Sequence, residues 1–329
     1  MFSNTIEEKN DSIYTVAFYN LENLYDTVHD ENTLDTDFTP TGFKKWNTKR
    51  YKNKIRKLGN VIGQIGLDKS VYAPAIVGVV EVENAEVLRD LVQSDGLKNE
   101  NYDFVHYDSP DERGIDVALL YKKELFELVG SQTFPLYLTG FNGERDFTRD
   151  ILLVQGNLNG EFVNVIVNHW PSRRNGNGET VDKRISASEK VLEIVDLINA
   201  EDEDAKIIIM GDFNDDPTNI SVKEYLVNDT FYNPMESLIS TGNGTLNYKG
   251  TWHLFDQIIF SKNFLEKEED KHLFKYAEIF DKPFLKIWKG KYKGNPYRTY
   301  MGKWYQGGFS DHFPVYIYLE KDDIKKRAI

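Results

Sequence analysis

The sequence predicts an α/β fold built on a mixed β-sheet in one domain, and three observations carry that reading. Apolar strand-like runs interleave with amphipathic helical stretches along the chain. Several neighbouring strand runs are parted only by short turns, which fits hairpins and therefore a mixed rather than a purely parallel sheet. No internal repeat, low-complexity tract or Pro/Ser linker divides the 329 residues, and 40% hydrophobic content is enough for one large core. Residues 1–12 and 320–329 are expected to be flexible ends of this single domain, 1–329.

Residues 13–19 (Ile-Tyr-Thr-Val-Ala-Phe-Tyr) read as a buried strand that ends at Asn20. Residues 26–42 are acidic and punctuated by Pro and Gly, as a long loop would be. A helix follows near 48–66, with Ile55, Leu58, Ile62 and Ile65 on one face and lysines on the other. Ala75 to Val80 is a second buried strand closed by Glu81, and Asn84 can cap the short helix after it. Strand signals recur at 102–107, 115–121, 150–155 and 162–168. A long amphipathic helix near 181–199 uses Ile185, Leu192, Val195 and Ile198. Lys206 to Met210, Phe255 to Phe260 and Phe313 to Leu319 complete the strands.

The bulk numbers narrow the function. Net charge is −13 and the pI is near 5.0, so the global field repels polyanions, and nucleic acid would need a local basic patch. With no cysteine, disulfides, thiolate zinc sites and a cysteine nucleophile are excluded. No stretch approaches the roughly 18 apolar residues that span a bilayer. The first twelve residues lack the basic-then-apolar order of a signal peptide. The compartment stays open between cytoplasm and export with a leader already removed, and a monomer is the favoured state.

Polar residues gather where the strands stop. Glu81 directly follows Ile76-Val77-Gly78-Val79-Val80, and Asn20 and Glu22 follow the first strand. Taken singly, each is a carboxylate or amide just clear of the core. Together, oxygen ligands at the ends of neighbouring strands can hold Mg²⁺, with Mn²⁺ or Ca²⁺ as alternatives, and Glu83 is a reserve ligand. His169 closes the alternating run 162–168, and Arg173 and Arg174 shortly after it could clamp a phosphate bidentately or form a solvated basic loop.

Gly211-Asp212-Phe213-Asn214-Asp215 follows Ile207-Ile208-Ile209-Met210 and is the sharpest local signal. Glycine there lets the backbone turn. Asp212 and Asn214 could then orient a nucleophilic water and bond a phosphoryl oxygen. The alternative is an Asx-rich turn capping a helix after Pro217. Asp256 is a charge inside an apolar strand and needs a buried partner. His312, in Ser310-Asp311-His312-Phe313-Pro314, is the candidate, an acid–base pair of the kind in which Asp orients an imidazole.

The segment Lys282 to Gly308 contains no acidic residue. It interleaves Lys282, Lys286, Lys289, Lys291, Lys293, Arg298 and Lys303 with Trp288, Tyr292, Tyr297, Tyr300, Trp304 and Tyr305. That reversal of sign suits a phosphorylated substrate with a ring to stack on, with Arg298 and Tyr300 as contacts.

These residues, in this order, resemble the endonuclease/exonuclease/phosphatase superfamily of DNase- and sphingomyelinase-like metal-dependent phosphoesterases. The resemblance runs from Phe18-Tyr-Asn20 to Ser310-Asp-His-Phe-Pro314. Phe18-Tyr-Asn-Leu-Glu-Asn-Leu-Tyr-Asp26 and Arg113-Gly-Ile-Asp-Val-Ala-Leu-Leu-Tyr121 are further similar to a bacterial branch of it. The resemblance implies a four-layer sandwich, two mixed sheets face to face with helices outside. It implies Asn20 and Glu81 at the metal with Glu22 or Asp311 assisting, His169 at the scissile phosphate, and Asp212 and Asn214 at the water and phosphoryl oxygens. It makes Asp256 and His312 the acid–base dyad, with Asp116 a support for His169.

The expected activity is hydrolysis of a phosphodiester by in-line attack of water, nuclease-like or on a smaller diester. A phosphomonoester on a sugar or inositol-like ring is the second choice, and a non-catalytic binding module on the same fold the rival from another class. The expected partner is a phosphorylated substrate, nucleic acid among the candidates. Which residue acts as base is open at this level.

Overall fold

A computed structural model describes residues 9–140, 142–173, 177–239 and 243–321. The strands in chain order are β1 (Ile13–Leu24), β2 (Ile76–Val82), β3 (Tyr102–His106), β4 (Asp116–Lys122) and β5 (Phe126–Phe134). Next come the small hairpin β6 (Leu138–Thr139) and β7 (Arg145–Asp146), then β8 (Ile151–Leu158), β9 (Glu161–His169), β10 (Ile207–Asp212) and β11 (Phe231–Tyr232). A second hairpin, β12 (Leu246–Tyr248) and β13 (Thr251–His253), precedes β14 (Asp256–Ser261) and β15 (Leu273–Ile279). A third, β16 (Tyr300–Met301) and β17 (Trp304–Tyr305), precedes β18 (Val315–Glu320). The helices are α1 (Thr48–Ile62), α2 (Ala85–Val92), α3 (Asn177–Glu201) and the short α4 (Met235–Ile239).

Two six-stranded mixed sheets form, in the orders β15-β18-β1-β2-β4-β3 and β11-β14-β10-β9-β8-β5. They are built alike. Each has a central parallel pair, β1 with β2 and β10 with β9, flanked by an antiparallel strand, β18 or β14. Alternation along the strands sorts their side chains into three apolar layers. Val16 and Phe18 on β1 meet Ile208 and Met210 on β10 between the sheets. Ala17 and Tyr19 turn outward to Leu58 and Ile62 of α1 and Leu88 and Leu91 of α2. Ile207 and Ile209 turn outward to Val191, Ile194 and Ile198 of α3. The result is the expected four-layer sandwich. Because the central strands are buried on both faces, they read as continuous apolar runs rather than alternating ones.

Several local expectations shift. β1 does not stop at Asn20. It runs on to Leu24, with an irregularity in its pairing to β2 between Asn20 and Leu24. β5, a strand with a half-exposed outer face, lay outside the predicted set. Asn84 caps α2 as expected, its side-chain oxygen accepting from the amides of Glu86 and Val87. The lysines of α1 are not all on its outer face, since Lys54 is buried.

The ends are also tied further out than expected. Asn10 donates its amide to Lys69 O, Glu320 closes β18, and Lys321 is buried with Nζ donating to Asn159 O. Residues 1–8 and 322–329 lie outside the described residues. Among the described residues no helix is long and apolar enough to cross a membrane.

Gly211 lies inside β10 and is not a turn. A Cβ there would stand 2.5 Å from Asn168 O on β9, so glycine is needed for close approach of the backbones, not for their conformation. Gly211→Ala should therefore cost about 1–3 kcal/mol by forcing β9 and β10 apart. Urea unfolding midpoints check this, and an unchanged midpoint would refute it.

Candidate active site

The sheet topology explains why distant polar residues meet. In each parallel pair the carboxyl ends lie at the same rim, and the antiparallel neighbour begins there. Asp212 ends β10 opposite His169, the last residue of β9, and opposite Asp256, the first of β14. Asn20 on β1 and Glu81 on β2 reach the matching rim of the other sheet, and His312 lies three residues before β18.

At the junction, Asn20 Nδ2 donates to Asp212 Oδ2 across 3.0 Å, so the two sheets are joined by a direct bond between two predicted site residues. Asp212 Oδ1 accepts from the Asn214 amide at 2.9 Å, and His169 Nε2 lies 3.9 Å from Asp212 Oδ2. His312 Nδ1 lies 2.7 Å from Asp256 Oδ2, the expected dyad. One ligand atom each from Asp212, Asp256 and His312 falls within 4.8 Å of the others, and all three residues are buried.

Three of these rim residues are held in the left-handed backbone region: Glu22 (φ 50°), Glu81 (φ 61°) and Asn214 (φ 50°). For residues with a Cβ this conformation is costly, about 1–3 kcal/mol each, and such strain clusters where side chains must be aimed. Here Glu22 and Glu81 fall at irregularities in the pairing of β1 with β2 and of β2 with β4, and Asn214 lies in the turn after β10.

Burial and neighbouring charge set the protonation states. Burial, with Asp256 alongside, pushes Asp212 up to about 6 against the opposing pull of His312. Burial works against a charged His312, but Asp256, Asp212 and Asp311 outweigh it and hold the imidazole pKa well above its ordinary value. Asp311 is also disfavoured as a carboxylate by burial, yet Arg298, His312 and Lys54 hold it below the usual range. The rim thus pairs an imidazolium with a carboxylate that titrates near neutrality.

The oxygens that could hold a divalent cation are unequal. Glu81 uses Oε2 to accept from the Asn23 amide at 2.7 Å, and its other oxygen meets no protein donor among the described residues. Asp311 gives one oxygen to Arg298 (2.7 Å), while the other lies 4.0 Å from His312 Nε2. Asn20 Oδ1 accepts from the Glu22 amide and keeps a lone pair. This all-oxygen set fits a hard ion such as Mg²⁺.

Glu22, expected as a ligand, is differently placed. Oε2 accepts from the Thr299 amide at 2.6 Å and Oε1 from Arg298 Nε at 3.3 Å, with Lys54 Nζ at 3.8 Å. Its carboxylate is spent on anchoring the basic loop. Glu83, the reserve ligand, accepts from the Asp26 amide instead, and burial together with Asp26, Asp35 and Asp30 pushes it up to about 8.

The predicted substrate contacts divide. Arg298 does reach the rim, bridging Glu22 and Asp311. Tyr300 does not. It is only 4% exposed, donates to Lys44 O and packs near Phe38, Trp46 and Tyr305, so its ring belongs to the core. Arg173 is turned inward, donating to Asn214 O, Asp215 and Asn219, so its guanidinium braces the 212–219 turn rather than facing a phosphate. Arg174 lies outside the described residues. Asp116, a proposed support for His169, instead takes His106 Nε2 at 3.0 Å and the Ser109 amide and hydroxyl.

Four residues at the rim had been given no role of their own. Lys54 donates to Glu22 O and Thr299 Oγ1, and its only sequence signal is a lysine next to Ile55 on the apolar face. Arg149 holds the His169 turn by donating to His169 O and Trp170 O while paired to Asp111. Arg113 lies 3.8 Å from Glu81 and donates to Asn23 Oδ1. Ser310 donates to Asn20 O and accepts from the His312 amide, tying the turn before β18 to β1 at the rim of the first sheet.

A sandwich with carboxylates, amides and two histidines on one rim is the arrangement the resemblance leads one to expect of a phosphoester hydrolase. The chain belongs to the Endonuclease/Exonuclease/phosphatase family, whose model matches residues 15–321, and that family consists of divalent-metal-dependent phosphoester hydrolases. No curated protein matches it by sequence.

Solved structures share the fold at low identity. An endonuclease/exonuclease/phosphatase family protein from Bacteroides thetaiotaomicron is 19% identical (TM-score 0.58; 94% of this chain, 95% of that one). A mannosyl-6-phosphatase from the same organism is 18% identical (TM-score 0.56; 93% and 99%). Danio rerio TDP2, complexed with a single-strand DNA product, is 14% identical (TM-score 0.57; 94% and 100%).

Proposed function

We propose that this protein is a divalent-metal-dependent phosphodiesterase that hydrolyses its substrate by in-line attack of water. The observation that carries the reading is the junction itself: Asp212 bonded to Asn20 from the opposite sheet, beside an Asp256–His312 dyad. Asp212, with a pKa near 6, is the group suited to accept the proton of the attacking water at neutral pH. His312, kept protonated by Asp256, donates to a phosphoryl oxygen as charge grows on it. His169 and Asn214 orient that oxygen from the β9 and β10 ends. Glu81, Asp311 and Asn20 would hold the divalent ion, which when bound offsets charge on the phosphoryl and leaving oxygens.

A diester is preferred to a monoester because of where the guanidinium groups are engaged. Arg113, Arg149, Arg173 and Arg298 each donate to protein acceptors. Each thus has a protein counterpart to satisfy, which favours a substrate with one charge at the scissile phosphate over a monoester dianion. The structural likeness to TDP2 with its single-strand DNA product agrees with a diester, and the likeness to a mannosyl-6-phosphatase keeps the monoester as the second reading.

The test compares a chromogenic diester with its matching monoester, each with Mg²⁺ and with EDTA. Mg²⁺-dependent cleavage of the diester in excess is expected. Cleavage of the monoester alone would replace this reading.

The pH profile follows from the same groups. Asp212 must be ionised to accept a proton, so kcat/KM should fall about tenfold per unit as pH drops below about 6. Asp212→Asn should remove that acidic limb together with most of the rate. An acidic limb that persists in the residual activity would assign it to another group.

A further inference from the structure

The hairpin β12–β13 turns through Lys249 and Gly250, both left-handed (φ 51° and 94°). A two-residue turn with both φ positive is the connection that matches strand twist, so Lys249 is presented at a well-defined tip. Across a groove of about 680 Å³ stand Lys291 and Tyr292, and Arg298 and Asp311 line the same groove where it meets the rim described above. Apart from Asp311, no acidic residue lines it.

Tyr248 is 61% exposed and Tyr292 43% exposed. Lys249 Nζ lies 5.1 Å from the Tyr248 ring centroid and Lys291 Nζ 5.5 Å from that of Tyr292. Among the described residues neither lysine has a carboxylate within ion-pair reach. Two solvent-exposed rings and two ammonium groups without counter-charges add nothing to the core, and they stand out in a chain of net charge −13. The combination selects an anion that also carries a flat apolar face.

We propose that this groove is a second-phosphate subsite, holding the nucleotide adjacent to the scissile phosphate of a single-stranded nucleic acid. Its phosphate lies between Lys249 and Lys291, and its base stacks on Tyr248 or Tyr292. A groove walled on two sides admits one extended strand, whereas the bases of a duplex are already stacked on one another and offer no face. The proposal rests on the phosphodiesterase reading only for the position of the scissile phosphate. It adds the residues that select a polymer over a small diester.

Two measurements on Lys249→Glu/Lys291→Glu separate the two readings. The first is anisotropy of a labelled short oligothymidylate in EDTA, and the second is Mg²⁺-dependent hydrolysis of a chromogenic diester that carries one phosphate. Binding of the oligonucleotide should weaken at least about tenfold, and its log–log salt slope should shrink by roughly one unit per lysine. Hydrolysis of the small diester should stay within about twofold, since neither lysine touches the reacting atoms. Tyr248→Ala/Tyr292→Ala should weaken oligonucleotide binding with the salt slope unchanged.

Oligonucleotide binding that survives charge reversal overturns the subsite. So does a wild-type protein that cleaves the small diester yet binds no oligonucleotide. Binding to phosphatidylserine vesicles through the same lysines, with no affinity for the oligonucleotide, overturns it in favour of a membrane surface. Lysine-dependent oligonucleotide binding without hydrolysis of any diester supports the subsite and removes the hydrolytic reading instead.

Discussion

Replacing His312 by alanine should lower kcat by about three orders of magnitude or more, with KM little changed. The imidazolium is a hydrogen-bond donor and positive charge aimed into a buried site, where such a group contributes most when the transition state gains charge. Alanine would also leave Asp256, which is fully buried, without its partner, and a stranded buried charge costs about 3–5 kcal/mol. His312→Gln separates the two effects. Its amide can still donate to Asp256, so thermal stability should recover while turnover stays low. Activity of either variant within a few-fold of wild type would remove His312 from the mechanism.

Glu81→Gln should raise the Mg²⁺ concentration for half-maximal activity by about 10- to 100-fold or more. The argument is one of lone pairs. Glu81 has an oxygen with no protein donor among the described residues, whereas Glu22 has both oxygens occupied by Thr299 and Arg298. Glu22→Gln should therefore leave the Mg²⁺ requirement close to wild type. Its expected effect is lower stability, because Lys54 and Arg298 would lose their shared counter-charge. Mg²⁺ titrations of the two variants decide the matter. A larger shift for Glu22→Gln than for Glu81→Gln would reverse the assignment.

Much of the site was legible because its members are punctuation on a simple pattern. Asn20, Glu81, His169, Asp212 and Asp256 each interrupt an apolar run, and a polar residue at such a position is conspicuous in a linear reading. The Asp256–His312 pairing was legible for an energetic reason: a carboxylate in the middle of Leu254 to Phe260 requires a buried partner, and few candidates existed. Tyr300 misled for the complementary reason. Its setting among lysines and aromatics is the composition of a binding loop, but Phe38 and Trp46, more than 250 residues earlier, enclose it.

The sequence by itself determined most strands of the two large sheets and the residue types at their ends, since apolar runs and the polar residues that close them are local properties. It left out β5 and β15 and reached the layering only through the family resemblance. Only the tertiary structure decided which carboxylates keep a free oxygen. Glu22 and Glu81 look equivalent along the chain, but Thr299 and Arg298 arrive at Glu22 from 277 and 276 residues away. Likewise Arg173, Arg149 and Lys54 became braces or anchors through partners that no local periodicity specifies. A side chain's identity sets what it can bind, and the packing of distant segments sets what has already been bound.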